Sequence, residues 1–359
     1  MTKNQKTCIK VVSTFGVVVI LFISLLAWLA HDDAELLYKP NIELYAPTPE
    51  GGEESYALLK RVADIGDEAG KWSHAFKKDK KVAHQAVKDK TDNADELYRD
   101  FILNHAEEIQ SHYQLINPNV ELLAKLAKMP VIGDLTKGLA EESAGLGLMK
   151  IQDIVKYQME LDAYLGKSVN LQPSIDLYQV VIKGSHHVRS LIHWMVYIAV
   201  EKHLLTSWNK TASYLDEEQS ERLRQALKNQ IDYYGNWERV MLVEYCFIYN
   251  MNPQLFDGSV KLKWFMKYML NPNSTFNQIV FYHKKGLTLL RSRKFTELKN
   301  MSEKLAVKLD QFSIKNYAGK SFIIMGTPVH LKQMAKIEQR EQEREELKSS
   351  ILAQLAKNK

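Results

Sequence analysis

The chain has 359 residues, of which 45% are hydrophobic, 25% charged and 10% aromatic. These are the values of an ordinary folded protein, and they exclude a disordered or collagen-like chain. The formal net charge is +5, part of it from Lys3, Lys6 and Lys10, so the rest is nearly neutral and the sequence predicts no nucleic-acid binding.

Residues 11–30 contain no charged side chain. A helix of this length spans about 30 Å, the thickness of the hydrocarbon core of a bilayer. Lysines precede the run, whereas Asp32, Asp33 and Glu35 follow it, which predicts a cytoplasmic segment at 1–10 and an exported C-terminal part. The run exceeds the roughly 7–15 apolar residues of a cleaved signal peptide and ends in no small-x-small site. We therefore expect a transmembrane signal anchor.

The remainder predicts an all-α exported domain. Prolines at 40, 47 and 49 indicate a semi-extended linker over 31–52. Beyond it, apolar residues recur at helical spacing and strand-like alternation is scarce. Glycines at 133, 138, 145 and 147 suggest an internal boundary. The predicted plan is an N-terminal helical subdomain at 53–147, a helical core at 148–330 and a charged C-terminal helix at 331–359.

Local signals mark several helix ends. Asp216 followed by Gln219 resembles a capping box. An asparagine stands before a proline at 117–118, 252–253 and 271–272, an arrangement that ends one helix or opens the next.

Two apolar segments, Ser190–Val200 and Val240–Met251, are too short for a membrane span, and the second contains Glu244. We expect both to be buried helices. Cys246 lies in the second segment, and the other cysteine, Cys8, precedes the predicted anchor. The sequence therefore predicts a buried free thiol at Cys246 and no disulfide between the two.

A polar stripe runs through the first of these segments. His186, Ser190, His193, Tyr197 and Glu201 recur at helical spacing. The stripe is either an acid-base or metal-binding face, or a set of polar residues satisfied by neighbouring helices. Because neither an HExxH motif nor paired CxxC motifs occur, we predict no metal and no cofactor.

Glu244 has apolar neighbours, so it must find a partner or take up a proton. Arg239, His193 and Arg189 are the candidate partners. Such a carboxylate is either a general acid or one half of a structural ion pair. Glu238 and Glu244 with His193 are thus the candidate catalytic residues.

The final helix carries closely spaced opposite charges, including Glu341 and Arg344, which stabilise an exposed helix. After Glu346 the pattern changes to an apolar stripe that docks on the core or on a partner. The stripe consists of Leu347, Ile351, Leu352 and Leu355.

Three features in order resemble a loose group of bacterial proteins with one N-terminal anchor and an all-helical exported domain. They are the helix with Glu238 and Arg239, the motif Asn271–Asn277, and the segment Asn316–Lys320 before the charged final helix. The resemblance implies the fold and a Gram-negative periplasmic location, and it carries no activity. The candidate binding residues are Arg239, Trp237, Asn271, Asn273 and Asn277, where the asparagines either cap a helix beginning near Phe276 or form a binding loop.

The sequence favours a non-enzymatic protein anchored by a single span in the inner membrane. We expect its periplasmic helical domain to be an adaptor or assembly factor that binds another envelope protein. Two alternatives stay open. One is an envelope hydrolase using Glu238 or Glu244 with His193 in an aromatic-lined cleft, and the other is lipid or apolar-ligand binding between helices.

Overall fold

The computed structural model describes residues 24–25, 41–66, 68–136, 144–251, 271–310 and 331–358. Within these ranges the chain forms helices and turns with no strand, which confirms the all-α prediction. The predicted anchor at 11–30 lies outside the described residues except for Ser24 and Leu25. Among the described helices, none combines the length and apolarity needed to cross a bilayer.

The chain divides into two compact units. The larger comprises residues 41–247 and 339–359, and the smaller comprises 1–40 and 248–338. In chain order, the α-helices of the described residues are α1 (Ile42–Tyr45), α2 (Gly52–Ala63), α3 (His74–Asp89), α4 (Ala94–Asn104), α5 (Ala106–Leu115), α6 (Asn117–Lys128), α7 (Ala144–Tyr164), α8 (Gln172–Ser185), α9 (Leu191–Thr211), α10 (Glu217–Ala226), α11 (Tyr233–Met251), α12 (Pro272–Arg291), α13 (Phe295–Asp310) and α14 (Ile337–Leu355).

Helix α7 is the centre of the larger unit, because it packs along α9 and also contacts α2, α4, α5 and α8. Three large side chains on it, Ile151, Tyr157 and Leu161, are fully enclosed. In the smaller unit, α12 packs against α13.

The N-terminal boundaries differ from those expected. Residues 41–52 belong to the larger unit, whereas the sequence indicated a linker over 31–52. Helix α1 forms there because the Asn41 side chain accepts a hydrogen bond from the amide of Glu43. The expected boundary at 147 falls inside α7. Gly147 serves close packing, since a Cβ there would collide with the carbonyl oxygen of Ala63 in α2.

Several local predictions hold. The capping box of Asp216 and Gln219 opens α10 with both hydrogen bonds present. Helices α6 and α12 begin at the expected Asn-Pro pairs. The two apolar segments lie in α9, with Ser190 as its N-cap, and in α11, and Cys246 is buried. The polar stripe begins later than expected, because α9 starts at Leu191 and His186 is an exposed residue at the end of α8.

Helix α14 docks on its own domain through the residues that lie in the larger unit. Ile351 and Leu355 are fully buried, whereas Leu352 is 42% exposed. The guanidinium of Arg344 donates a 2.8 Å hydrogen bond to the carbonyl of Ile231 and lies 4.4 Å from the ring of Tyr233. Two residues of the apolar stripe, Ile351 and Leu355, are therefore part of the core.

Candidate functional site

The candidate catalytic residue His193 lies in a buried polar network of the larger unit. Its Nδ1 is 2.6 Å from Oδ2 of Asp134, and the two side chains are 0% and 1% exposed. His193 belongs to the first turn of α9, and Asp134 to the extended segment that follows α6. The network therefore joins helix α9 to a loop.

Local hydrogen bonds hold both partners in place. The hydroxyl of Ser190 caps α9 by accepting from the amide of His193 at 3.0 Å. Oδ1 of Asp134 accepts from the amide of Thr136 at 3.0 Å and from its hydroxyl at 2.6 Å. The hydroxyl of Tyr56 lies 3.4 Å from that of Thr136. These contacts orient the carboxylate toward the imidazole.

The carboxyl of Asp134 has a pKa below its usual range. Burial raises this pKa, but hydrogen bonds from His193, the amide of Arg189 and Thr136, together with the charge of His193, lower it further than burial raises it. An ionised carboxylate only accepts hydrogen bonds, so Nδ1 of His193 carries the proton. The Nε2 atom of His193 is buried and has no hydrogen-bond partner among the described residues.

This arrangement is the aspartate–histidine half of an acid-base system, in which the carboxylate fixes the imidazole tautomer. Catalysis requires the second nitrogen to reach a substrate within hydrogen-bond distance. With His193 fully enclosed, the pair acts as a structural connection between α9 and the 131–136 segment.

Arg189 forms a second connection beside it. Its amide donates to Oδ2 of Asp134 at 2.8 Å, and its guanidinium donates to Glu43, to the carbonyl of Ala46 and to Thr48 at 2.7, 2.7 and 3.0 Å. Arg189 is 5% exposed. It thus fixes the segment after α1, which explains why residues 41–52 fold with the domain.

Glu244 is buried on α11, and its partner differs from the three that the sequence suggested. Its Oε1 accepts a 2.6 Å hydrogen bond from the amide of Leu191, the first residue of α9. Burial raises the pKa of this carboxyl to about 7, although the bond from Leu191 opposes that shift. A carboxylate at a helix N-terminus is favourable when ionised, so Glu244 acts as a helix cap whose charge changes near neutral pH.

The remaining candidates on α11 face different neighbours. Arg239 donates to the carbonyls of Ser185 and Val188 at 2.6 and 3.3 Å. Trp237 is fully buried, with its ring 4.8 Å from that of Trp194. Glu238 is partly exposed. Of the three candidate catalytic residues, His193 and Glu244 are therefore buried and only Glu238 reaches solvent.

The asparagine motif lies in the smaller unit. Asn271 precedes the first residue of α12, and its carbonyl accepts from the amide and hydroxyl of Thr275 at 2.9 and 2.8 Å. Residues 271–277 thus form the first turns of a helix that begins at Pro272, earlier than expected, and they are not a loop. Asn271 and Asn277 are buried, and Asn273 is partly buried.

Sequence reasoning missed Asp134, Thr136 and Tyr56. The spacing of Asp134 and Thr136 is a local signal, because an aspartate often accepts from the amide two residues on. The contact of Asp134 with His193, which is distant in the chain, has no such local signal in the sequence. Within the described ranges, no group of three His, Cys, Asp or Glu side chains is placed to hold a metal ion.

Comparisons with protein-family models, with curated protein sequences and with solved structures found no match, so the resemblance to anchored bacterial proteins stays a prediction.

Proposed function

We propose that this chain is a single-span, membrane-anchored helical adaptor of the bacterial envelope, which holds a protein partner in a groove between α12 and α13. Its N-terminus is cytoplasmic and its helical part periplasmic. The uncharged run 11–30, with lysines before it and aspartates after it, supports the anchor and its orientation.

The observation that carries the adaptor proposal is the groove itself. It has a volume of 540 Å³ and lies between the two helices of the smaller unit. Phe281 is 58% exposed at its edge, and an exposed aromatic beside apolar neighbours is typical of a protein-interaction surface. The apolar and aromatic side chains that line the groove are Phe281, Tyr282, Leu289, Met301 and Leu305.

The shape and charge of the groove favour an amphipathic helix as its occupant. A channel between two antiparallel helices accepts the apolar face of a third helix. Lys285, Lys304 and Glu297 also line it, and the charge of Glu297 is paired at 3.0 Å with Lys294, which does not line the groove. The partner helix should therefore carry acidic side chains beside its apolar face.

The burial of other residues favours the adaptor over the hydrolase and the lipid-binding protein. A hydrolase would need an accessible acid and base, but His193 and Glu244 are 0% and 6% exposed. A lipid-binding protein would need a long apolar cavity, whereas Trp194 and Trp237 pack directly on each other within the core. Ile351 and Leu355 are buried in their own domain, so these two residues of the stripe on the final helix are not available to a partner.

The partner is tested by crosslinking intact cells that make the tagged full-length chain. We expect one stoichiometric envelope protein to crosslink to wild type and to be lost with Phe281→Glu, which places a charge at the groove. Leu352→Glu changes an exposed apolar residue on α14 and should leave the crosslink intact. Equal crosslinking of wild type and Phe281→Glu would contradict the groove as the contact.

The location is tested separately with alkaline phosphatase, which is active only after export, fused behind Lys359. The fusion should be active, and an extract washed with carbonate should keep it in the membrane fraction. An inactive fusion would contradict the orientation, and release by carbonate would contradict the anchor.

A further inference from the structure

Basic side chains from three helices of the larger unit converge around Tyr98 and Tyr157. Helix α7, which packs along α9, supplies Tyr157, and Tyr98 comes from α4, which also contacts α7. The basic residues are Lys80 and His84 on α3, Lys156 on α7, and His203 and Lys210 on α9.

The three lysines share the faces of the two tyrosine rings. Nζ of Lys210 lies 3.1 Å from the ring centroid of Tyr98. Nζ of Lys156 lies 5.7 Å from that centroid and 5.0 Å from the centroid of Tyr157. Nζ of Lys80 lies 5.2 Å from the centroid of Tyr157. Each ammonium thus gains cation–π attraction, and the rings gather the positive charges into one place.

The ammonium of Lys156 has no hydrogen-bond acceptor among the described residues, although the side chain is nearly enclosed. Lys156 is 8% exposed, and an ammonium carries three N–H donors that a ring face does not satisfy as an oxygen would. The described residues give Lys210 no carboxylate within ion-pair distance either. Lys80 differs, because it pairs with Asp153 at 3.3 Å.

The acidic groups nearby are already engaged. Glu160 is fully buried and accepts 2.8 Å hydrogen bonds from the hydroxyls of Tyr98 and Ser207. The charges of Glu160 and, more weakly, Asp95 act on Lys210 and favour its ammonium form, but neither carboxylate forms an ion pair with it. Lys156 and Lys210 therefore have cation–π contacts but no oxygen acceptor among the described residues, whereas Lys80 has Asp153.

The effect of these charges is visible at His84. Although His84 is exposed, desolvation of its imidazole by neighbouring atoms, followed by the positive charges of Lys156, Lys80 and Lys210, lowers its pKa to about 4, and the charge of Asp153 opposes this shift. Burial and the charge of Lys156 likewise lower the pKa of His203. Cations that repel one another in this way gain free energy from an added anion.

We propose that this cluster binds a phosphate-class oxyanion, held by Lys156 and Lys210 with Lys80 at its edge. A tetrahedral oxyanion supplies several acceptor oxygens to donors that approach from different directions, and lysine is a common phosphate ligand. The phosphate group is either free inorganic phosphate or the headgroup of an anionic phospholipid. This site lies in the larger unit and does not rest on the groove between α12 and α13.

The test uses the full chain in detergent. Thermal unfolding is followed against increasing inorganic phosphate, with chloride at matched ionic strength as the reference. A parallel series uses dihexanoyl phosphatidic acid below its micelle concentration. We expect phosphate to raise the unfolding temperature beyond chloride, and we expect Lys156→Met and Lys210→Met each to weaken the apparent affinity about tenfold. Lys77→Met, at an exposed position of α3, is the matched control and should bind as wild type does.

A second measurement covers the case in which a lysine variant fails to fold. In wild type, the NMR titration of His84 should move to higher pH when phosphate is bound, since an anion offsets the lysine charges. If phosphatidic acid binds more tightly than phosphate, the ligand of the cluster is a phospholipid headgroup. If the two bind equally, the ligand is free inorganic phosphate. The inference is overturned if neither ligand exceeds chloride and the His84 titration does not move, or if Lys156→Met and Lys210→Met fold and bind as tightly as Lys77→Met.

Discussion

The carboxylate of Asp134 and the imidazole of His193 lie 2.6 Å apart although 59 residues separate them in the chain. Both side chains are enclosed by the core. The bond therefore connects the segment after α6 to the first turn of α9, and the same carboxylate also accepts from the amide of Arg189. The Asp134–His193 pair resembles part of a catalytic triad, but here it connects two segments of the fold.

Asp134→Asn should destabilise the domain strongly. The substitution removes a buried charge that His193, Thr136 and the amide of Arg189 all stabilise, and breaking such a pair costs about 3–5 kcal/mol. Denaturant unfolding at pH 7 measures the change in the free energy of unfolding. Asp92→Asn, at an exposed position, should change it by less than about 0.5 kcal/mol.

The contribution of the Asp134–His193 pair to stability should decrease at acidic pH. The pKa of Asp134 is lower in the folded state than its ordinary value of 3.8, so its stabilisation is complete above pH 4 and is lost as the pH falls below that. The difference between wild type and Asp134→Asn should shrink only in this acidic range. A difference that is absent at pH 7 would contradict the assigned role.

Glu244 should reduce stability at alkaline pH. Its pKa is about 7 in the folded state against an ordinary 4.5, so its contribution is complete below about pH 4.5 and is lost as the pH rises through 7. A shift of this size corresponds to about 3 kcal/mol. Glu244→Gln should therefore be more stable than wild type at pH 8 and approach it at pH 5.

Denaturant unfolding of wild type and Glu244→Gln between pH 5 and 8 measures the difference in their free energies of unfolding. The contributions of other titrating groups are the same in both proteins and cancel in this difference. Glu346→Gln, on the exposed side of α14, should give a constant difference across that range. A constant difference for Glu244→Gln as well would show that Glu244 keeps an ordinary pKa.

The sequence predicted what local chemistry controls. Helical periodicity, the capping box at Asp216 and the burial of Cys246 depend on neighbours a few residues apart, and these predictions hold. The helix start at Leu191 was missed because Ser190 caps it through the amide of His193, whereas the polar spacing continues back to His186.

Contacts between residues far apart in the chain could not be predicted from the sequence. The stripe of Ser190, His193, Tyr197 and Glu201 was correctly placed on one face, but periodicity does not say whether a polar face meets water or core. In the structure all four are buried, while Ile192 and Met195 on the same helix are 48% and 42% exposed. The outcome depends on Asp134 and on other acceptors far away in the chain.

The final helix provides a matched pair of core and surface substitutions. Ile351→Ala should lower the free energy of unfolding by about 2–4 kcal/mol, because it leaves a cavity at a fully buried position. Leu352→Ala, at the adjacent position that is 42% exposed, should cost less than about 1 kcal/mol. Chemical denaturation of both variants tests the docking of α14, and equal effects would indicate that the helix does not pack through Ile351.

Gly147→Ala should destabilise the domain even though alanine normally favours a helix over glycine by about 1 kcal/mol. The added methyl would meet the backbone carbonyl of Ala63, which cannot move without shifting α2. Gly286→Ala in α12 is a matched contrast, because its Cβ would lie 2.6 Å from the Cδ2 atom of Leu331, the end of a flexible side chain. Since a side chain adopts another rotamer more cheaply than a helix shifts, thermal unfolding should show a larger loss for Gly147→Ala than for Gly286→Ala. A neutral or stabilising Gly147→Ala would mean that α2 and α7 are not in the close contact that brings this glycine into the core.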